Sequence, residues 1–292
     1  MKLTLTGSLG NITRPLAETL IAAGHEVTII SSNADKIGAI AALGATAAIG
    51  SVEDIEFLTK AFSGKDAIYT MVPPNFGAPD IRAFIGSVGK KYVEAIKASG
   101  VKQVLNLSSI GADLDGGTGP IAGLHDVEAA YSTLGGVAIK HLRPAYFYIN
   151  LFGNMDMIKH AGILGSNYDA AAPLVLVHPT DIAAAAAEEL QAGFEGNSIR
   201  YVVSDEASAG SVTQALGTAI GKPELPWIEF SDSDALQGML QAGLPAPMAK
   251  SYVEMGDAVR SRKLFAHYYA NKPAVFGKVK LEDFAQEFAK AF

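Results

Sequence analysis

The chain has 292 residues, 49% of them apolar and 18% charged, and 30 Asp and Glu against 23 Lys and Arg leave a net charge of −7. An acidic balance argues against direct nucleic-acid binding, which calls for a basic surface. The absence of cysteine excludes disulfides, thiolate metal sites and a cysteine nucleophile, and no apolar run reaches the roughly 18 residues of a membrane span.

These bounds predict a soluble, cytoplasmic protein built as one large α/β domain or as a main domain with a smaller appendage. Lys2 and the apolar residues after it mimic a leader peptide. Arg14 and Glu18 interrupt that stretch, so it reads as a first strand and helix.

In chain order, Lys2–Thr6 is a strand, Gly7–Gly10 a turn and Pro15–Ala23 a helix ending at Gly24. Strands follow at Val27–Ile30, Ala45–Ile49, Ala67–Met71, Val101–Leu107 and Val137–Leu142. Between them lie helical patterns at Asp35–Leu43, Val52–Phe62, Ile81–Ala98 and His125–Leu134. Strands alternating with helices of about 10–15 residues imply an α/β, doubly wound parallel sheet buried on both faces. The second half is less regular, with helices at Ile182–Leu190, Ser211–Ile220, Asp232–Gln241, Ala246–Leu264 and Leu281–Phe292, and one strand at Ile199–Val203. Residues 1–150 are thus expected to form a dinucleotide-binding core, and 151–292 a smaller mixed substrate-side cap, some segments of which return to the core.

In such a sheet, ligands bind beyond the carboxyl ends of the strands, where the strand order reverses. Thr6-Gly7-Ser8-Leu9-Gly10-Asn11-Ile12-Thr13 follows the first strand and opens the first helix, the context of a dinucleotide fingerprint. Gly7 permits the tight turn, and Gly10 lets the backbone approach a pyrophosphate at the helix N-terminus. The third glycine of that pattern is replaced by Thr13, so helix and strand are expected to pack slightly farther apart. At the end of the second strand an NAD-preferring site carries an acid on the ribose 2′-hydroxyl. Here stand Ser31, Ser32 and Asn33, with Lys36 close behind. Hydroxyls, an amide and a cation suit a 2′-phosphate, so NADP(H) is favoured over NAD(H). The same residues can also cap the following helix.

Further segments carry a family likeness. They are Val72-Pro73-Pro74, Leu107-Ser108-Ser109, His125-Asp126-Val127-Glu128, Leu142 to Phe147 with Asn150, Val177 to Ala183, and Lys280 to Phe284. Taken with the turn and the Ser-Ser-Asn strand end, the chain resembles the NmrA-like family of atypical short-chain dehydrogenase/reductases. That family includes NAD(P)H-dependent quinone reductases, redox-sensing regulators and isoflavone-reductase-like enzymes. The resemblance implies a Rossmann-type fold and roles by position. Gly7, Leu9, Gly10, Asn11 and Ile12 would hold the pyrophosphate, Val72 and Pro73 the middle of the cofactor, and Pro144, Tyr146 and Phe147 would lie near the nicotinamide. Tyr146 and Phe147, with Phe76, are candidates for a flat acceptor pocket. Ser32 stands where NADP-preferring relatives often carry Arg, which weakens that preference.

Short-chain dehydrogenases use a Tyr-x-x-x-Lys pair on the helix after the fifth strand, where Lys lowers the tyrosine pKa for proton transfer. Aligned on Glu128, those positions are Pro120 and Leu124, and neither can do proton chemistry. The motif does occur at Tyr268 and Lys272, near the C-terminus, and is read as a coincidence. The remaining proton-active candidate is His125; the six histidines show no metal-ligand spacing. The expected activity is an NADPH-dependent reduction of small planar acceptors, quinones first, by direct hydride transfer. The alternative is a non-catalytic NADP(H)-binding redox sensor acting through a protein partner. The expected partners are a small-molecule acceptor and a homodimer or regulatory protein, with no direct nucleic acid and no membrane.

Overall fold

The computed structural model describes residues 1–292. Its first half runs β1 (Lys2–Leu5), α1 (Thr13–Ala22), β2 (Glu26–Ser31), α2 (Ile37–Ala42), β3 (Thr46–Ile49), α3 (Ile55–Phe62), β4 (Ala67–Thr70), α4 (Ile81–Ser99), β5 (Gln103–Leu107), α5 (Ile121–Tyr131) and β6 (Ala138–Pro144). The second half adds β7 (Tyr146–Phe147), α6 (Met155–Ala161), β8 (Leu164–Ser166), β9 (Pro173–Val177), α7 (Pro179–Ala192), β10 (Asn197–Val202), β11 (Asp205–Ser208) and α8 (Ala209–Ala219). The chain ends with β12 (Trp227–Glu229), α9 (Asp232–Gln241), α10 (Ala246–Arg260), α11 (Ala266–Ala270) and α12 (Leu281–Ala291).

Seven strands form one sheet in the order β10-β6-β5-β4-β1-β2-β3, and every pairing in it is parallel. Parallel strands buried on both faces need no polar side, which is why β4 is buried at all four residues. On one face Leu16 and Leu20 of α1 join Ile182, Ala186 and Leu190 of α7. On the other, Leu58 and Phe62 of α3 meet Val88, Tyr92 and Ile96 of α4 and Val127 and Tyr131 of α5. Glycines let α4 and α5 touch: a Cβ on Gly89 would lie 2.7 Å from Val127, and one on Gly123 2.7 Å from Ile85.

The expected and observed elements of the first half agree apart from their ends. Asp54 accepts from the Phe57 amide at 3.1 Å and starts α3 later than Val52. Helix α5 begins at Ile121, four residues before the periodicity shows it. The second half differs more. Two small sheets, β11-β9-β7 and β12-β8, replace what reads as loop, because strands of two to five residues carry too little period. The helix expected over Ala246–Leu264 stops at Arg260, and Arg262 takes a left-handed φ of 62° before a short 3₁₀ turn at Lys263–Phe265.

β10 pairs with β6 and α7 packs on α1, so both belong to the central layer. The rest of the second half forms the two small sheets and the remaining helices. Its anchor is Asp181 in the first turn of α7, a buried carboxylate. One oxygen accepts from the Ser204 hydroxyl at 2.6 Å and the Val279 amide at 3.1 Å. The other accepts from the Lys278 amide at 3.0 Å, and Gly277 packs so closely on this carboxylate that a Cβ there would overlap it. No helix is long and apolar enough to cross a membrane.

Asp181→Ala leaves three donors without an acceptor. It should cost about 2–4 kcal/mol and lower the melting temperature by roughly 5–10 °C. Calorimetric scans of the variant and the parent check this; an unchanged melt would show that the carboxylate does not hold the C-terminal strap.

Candidate functional site

The strand order reverses between β1 and β4, so the loops leaving these two strands diverge and open a crevice. The Thr6 amide continues β1 by donating to Tyr69 O at 3.0 Å, and the Ser8 amide reaches across to Ile30 O at 3.0 Å. Gly7 has a φ of 94° and Ser8 a φ of 54°. The Gly10 amide closes the turn on Gly7 O at 3.1 Å. The amides of Leu9, Asn11 and Ile12 donate to no acceptor in the chain. They stand just before α1, a helix with no side-chain cap and no acid in its first turn. Free amides at an uncapped helix N-terminus can hold an anion.

Thr13 explains how the fold manages without the third glycine. Its side chain is buried, and its hydroxyl donates to Thr6 O at 2.8 Å. Room comes from Gly7, where a Cβ would lie 2.6 Å from the Thr13 hydroxyl oxygen. Gly10 is more open: a Cβ there would meet only Gly7 O, at 3.0 Å.

The four candidates at the 2′ position divide into two kinds. Ser31 is buried, and its hydroxyl accepts from Ser8 Oγ at 2.9 Å and from the Asn33 amide at 3.2 Å. Asn33 caps the following 3₁₀ turn by accepting from the Asp35 amide at 2.8 Å. These two shape the strand end. Ser32 and Lys36 are exposed, and neither side chain has a hydrogen-bond or salt-bridge partner in the chain.

Across the crevice, the Met71 amide donates to the Thr6 hydroxyl at 2.8 Å, and the Tyr92 hydroxyl donates to Met71 O at 2.7 Å. These bonds hold the half-buried Val72 and Pro73 at the mouth opposite the glycine turn. Phe76 is 55% exposed on the next loop. Two strands farther along, Pro144 is buried, and Tyr146 and Phe147 are half-buried in β7, which pairs with β9.

His125 lies in a different place. It lines a polar cavity of about 420 Å³ with Asp113, Glu128, His141, Arg143 and Asn197, between α5 and the β6–β10 edge of the sheet. Its Nδ1 faces Ala112 O at 2.9 Å, which makes Nδ1 the protonated nitrogen. Behind it, Arg143 pairs with both oxygens of Glu128, at 3.0 and 2.7 Å, and with the Tyr201 hydroxyl at 3.3 Å. Burial opposes the Arg143 charge, but the Glu128 pairing wins and raises its pKa. Glu128 also accepts from the Ser108 hydroxyl. One carboxylate thus ties the ends of β5 and β6 to α5. These residues lie far apart in sequence, and no spacing rule links them.

Pro120 and Leu124 carry no proton chemistry in the structure either. Pro120 precedes the first turn of α5, and Leu124 packs against the larger core. The C-terminal pair has a structural use. Tyr268 is fully buried and donates to Glu206 at 2.7 Å, and Lys272 reaches the other oxygen of Glu206 at 2.6 Å. Burial, then this acceptor, raises the Tyr268 pKa, so Lys272 does not activate the phenol.

Residues 7–135 match the model of the NAD(P)H-binding family. No curated protein matches the chain by sequence. Among solved structures, the NADPH-dependent quinone oxidoreductase of Escherichia coli, complexed with NADPH, superposes with a TM-score of 0.81 at 20% identity, over 98% of this chain and 99% of that one. Citrobacter sp. triphenylmethane reductase, complexed with NADP(H), gives 0.80 at 21% identity, over 99% and 100%. A nucleoside-diphosphate-sugar epimerase from Staphylococcus aureus gives 0.77 at 17%, over 98% and 100%. The Rossmann-type fold expected from the sequence is borne out, and so is NAD(P)H as its cofactor class.

The two glycines should respond differently to substitution. Gly10→Val should abolish NADPH binding in titration calorimetry, because the new side chain would fill the space of the pyrophosphate, and should lower the melt only modestly, since its Cβ meets Gly7 O alone, at 3.0 Å. Gly7→Ala should instead destabilise the fold by about 1–2 kcal/mol or more, from the left-handed φ and the Thr13 contact. Binding at parental affinity in Gly10→Val would place the dinucleotide elsewhere.

Proposed function

We propose that the protein is an NADPH-dependent reductase of small planar acceptors, with quinones the first class to test. The observation that carries this reading is the cradle of three free amides at the switch point, with no carboxylate at the end of β2. When bound, the nicotinamide supplies the hydride.

The chain's own residues supply position. Leu9, Asn11 and Ile12 would hold the pyrophosphate, and Val72, Pro73 and Pro144 would orient the rest of the cofactor. Ser32 and Lys36 would face the 2′-phosphate, and Ser31 and Asn33 hold the strand end in shape. Tyr146 and Phe147 offer flat faces to an acceptor, with Phe76 at the rim. A quinone is already electrophilic, so orientation can supply most of the rate without a Tyr/Lys pair. Hydride plus one proton converts it to the hydroquinone. Water is the proton source: His125, expected from the sequence to serve, lines the separate cavity beside α5 and gives its Nδ1 proton to Ala112 O. The named activities of the quinone oxidoreductase and the dye reductase, both solved with their nicotinamide cofactor, support this reading by analogy of fold.

NADPH should bind more tightly than NADH in calorimetric titrations, and Ser32→Asp should weaken NADPH by at least about tenfold through repulsion of the 2′-phosphate. NADPH oxidation should depend on an added benzoquinone-type acceptor. Tight binding with no acceptor-dependent oxidation would favour the redox-sensor alternative, and equal or tighter NADH binding would overturn the cofactor preference. His125→Ala, which alters only the separate cavity, should change turnover less than about tenfold. Tyr268→Phe should change it less than about tenfold. A large loss in Tyr268→Phe with an intact fold would assign the chemistry to the C-terminal pair.

A further inference from the structure

The cavity between α5 and the β6–β10 edge carries hydrogen-bonding groups that the frame leaves unused. His141 is the first. It is only 9% exposed, and a chain of bonds fixes where its proton lies. The Tyr131 hydroxyl donates to Thr70 Oγ1 at 3.0 Å, and the Thr70 hydroxyl donates to Asn106 Oδ1 at 3.2 Å. The Asn106 amide nitrogen therefore donates to His141 Nδ1, at 3.1 Å. That leaves the ring proton on Nε2. No atom of the chain accepts it, and Nε2 is not sealed from solvent, so it opens on the cavity that His141 lines. Burial lowers the His141 pKa and keeps the ring neutral.

Two acceptors line the same cavity. His125 gives its Nδ1 proton to Ala112 O, so its Nε2 is a lone pair, and nothing in the chain donates to it. The Asp113 carboxylate accepts no hydrogen bond within the chain. One of its oxygens is sealed from solvent, 3.7 Å from Arg143 Nη1, and the other is open. Arg143 is already occupied: Nε and Nη2 donate to Glu128, and Nη1 donates to the Tyr201 hydroxyl. With both histidines neutral, the carboxylates of Asp113 and Glu128 outnumber the one guanidinium. The lining is net negative and repels an anion. No three of these side chains meet as metal ligands. A carboxylate held this far from water without a donor is costly, so a ligand that fits has to bring donors.

We propose that this cavity is a second ligand site, separate from the dinucleotide crevice, for a small protonated amine that also carries a hydroxyl. The ammonium donates to Asp113 and to His125 Nε2, and the hydroxyl accepts from His141 Nε2–H. Each of the three unused groups then has a partner. A polyol would make similar bonds without answering the net negative charge. A plain alkylamine would leave the His141 proton unpaired. At about 420 Å³ the cavity has the size of a small-molecule site, well beyond what one water needs. The site takes no part in hydride transfer, so it does not depend on the reductase reading.

The test is a ligand-observed NMR titration with serinol, a three-carbon amino diol, in amine-free buffer at about pH 7.5, where the amine is charged and histidine neutral. Glycerol and glycerate, on the same three-carbon skeleton, are the neutral and anionic controls. Serinol should bind saturably, glycerol at least about tenfold more weakly, and glycerate not at all. Asp113→Asn, which keeps the side chain's shape, should weaken serinol about tenfold or more. His125→Ala, at a half-buried position, should weaken it roughly three- to tenfold. Unchanged NADPH binding in both variants shows that the fold is intact. No saturable serinol binding to the parent would mean that the cavity holds water only, and would overturn the proposal. So would glycerol or glycerate binding as tightly as serinol, or serinol binding to both folded variants at parental affinity.

Discussion

The amides of Leu9, Asn11 and Ile12 leave β1 with nothing in the chain to accept them, and much of the site's architecture follows from that. An N-terminus of this kind is tolerated where water or an anion completes it. The surrounding structure keeps it open instead of filling it. Gly7 and Ser8 both take left-handed backbone, which turns the chain sharply between β1 and α1. The Ser8–Ser31 hydroxyl pair and the Thr6–Met71 bond lock the turn to the strands on either side. The crevice is therefore shaped by the folded chain itself, and little ordering remains to be done when a dinucleotide enters.

The second half of the chain is tied to the first at several points. β10 and α7 extend the central layers, and Asp181 straps residues 277–279 onto α7. α10 crosses the start of α5 at Gly119 and meets the 166–168 segment at Gly256. α10, the start of α5 and the 166–168 segment, distant in sequence, are thus held together. The polar side chains around Arg143 serve the frame as well, since Glu128 joins the ends of β5 and β6 to α5.

The first half was legible because parallel strands covered on both faces read as unbroken apolar runs, punctuated by glycine at each helix end. The turn at Gly7–Thr13 was legible for the same reason, since strand, turn and helix all show in the pattern. What did not show depends on tertiary contact. The left-handed backbone of Ser8 has no local signature beyond its glycine neighbour. The role of Thr13 is visible only beside Gly7. β7, β8, β9, β11 and β12 are too short to carry a period. The Tyr268/Lys272 motif is the reverse case: a legible pattern whose partner, Glu206, turns it into a structural tie.

The central claim is that the free amides of the first turn are the dinucleotide's anchor. Residue-resolved amide hydrogen exchange, with and without saturating NADPH, reads those groups directly. The account predicts that Leu9, Asn11 and Ile12 exchange quickly in the free protein and become strongly protected in the complex. Protection confined to other segments, with these three amides still exchanging freely, would contradict it.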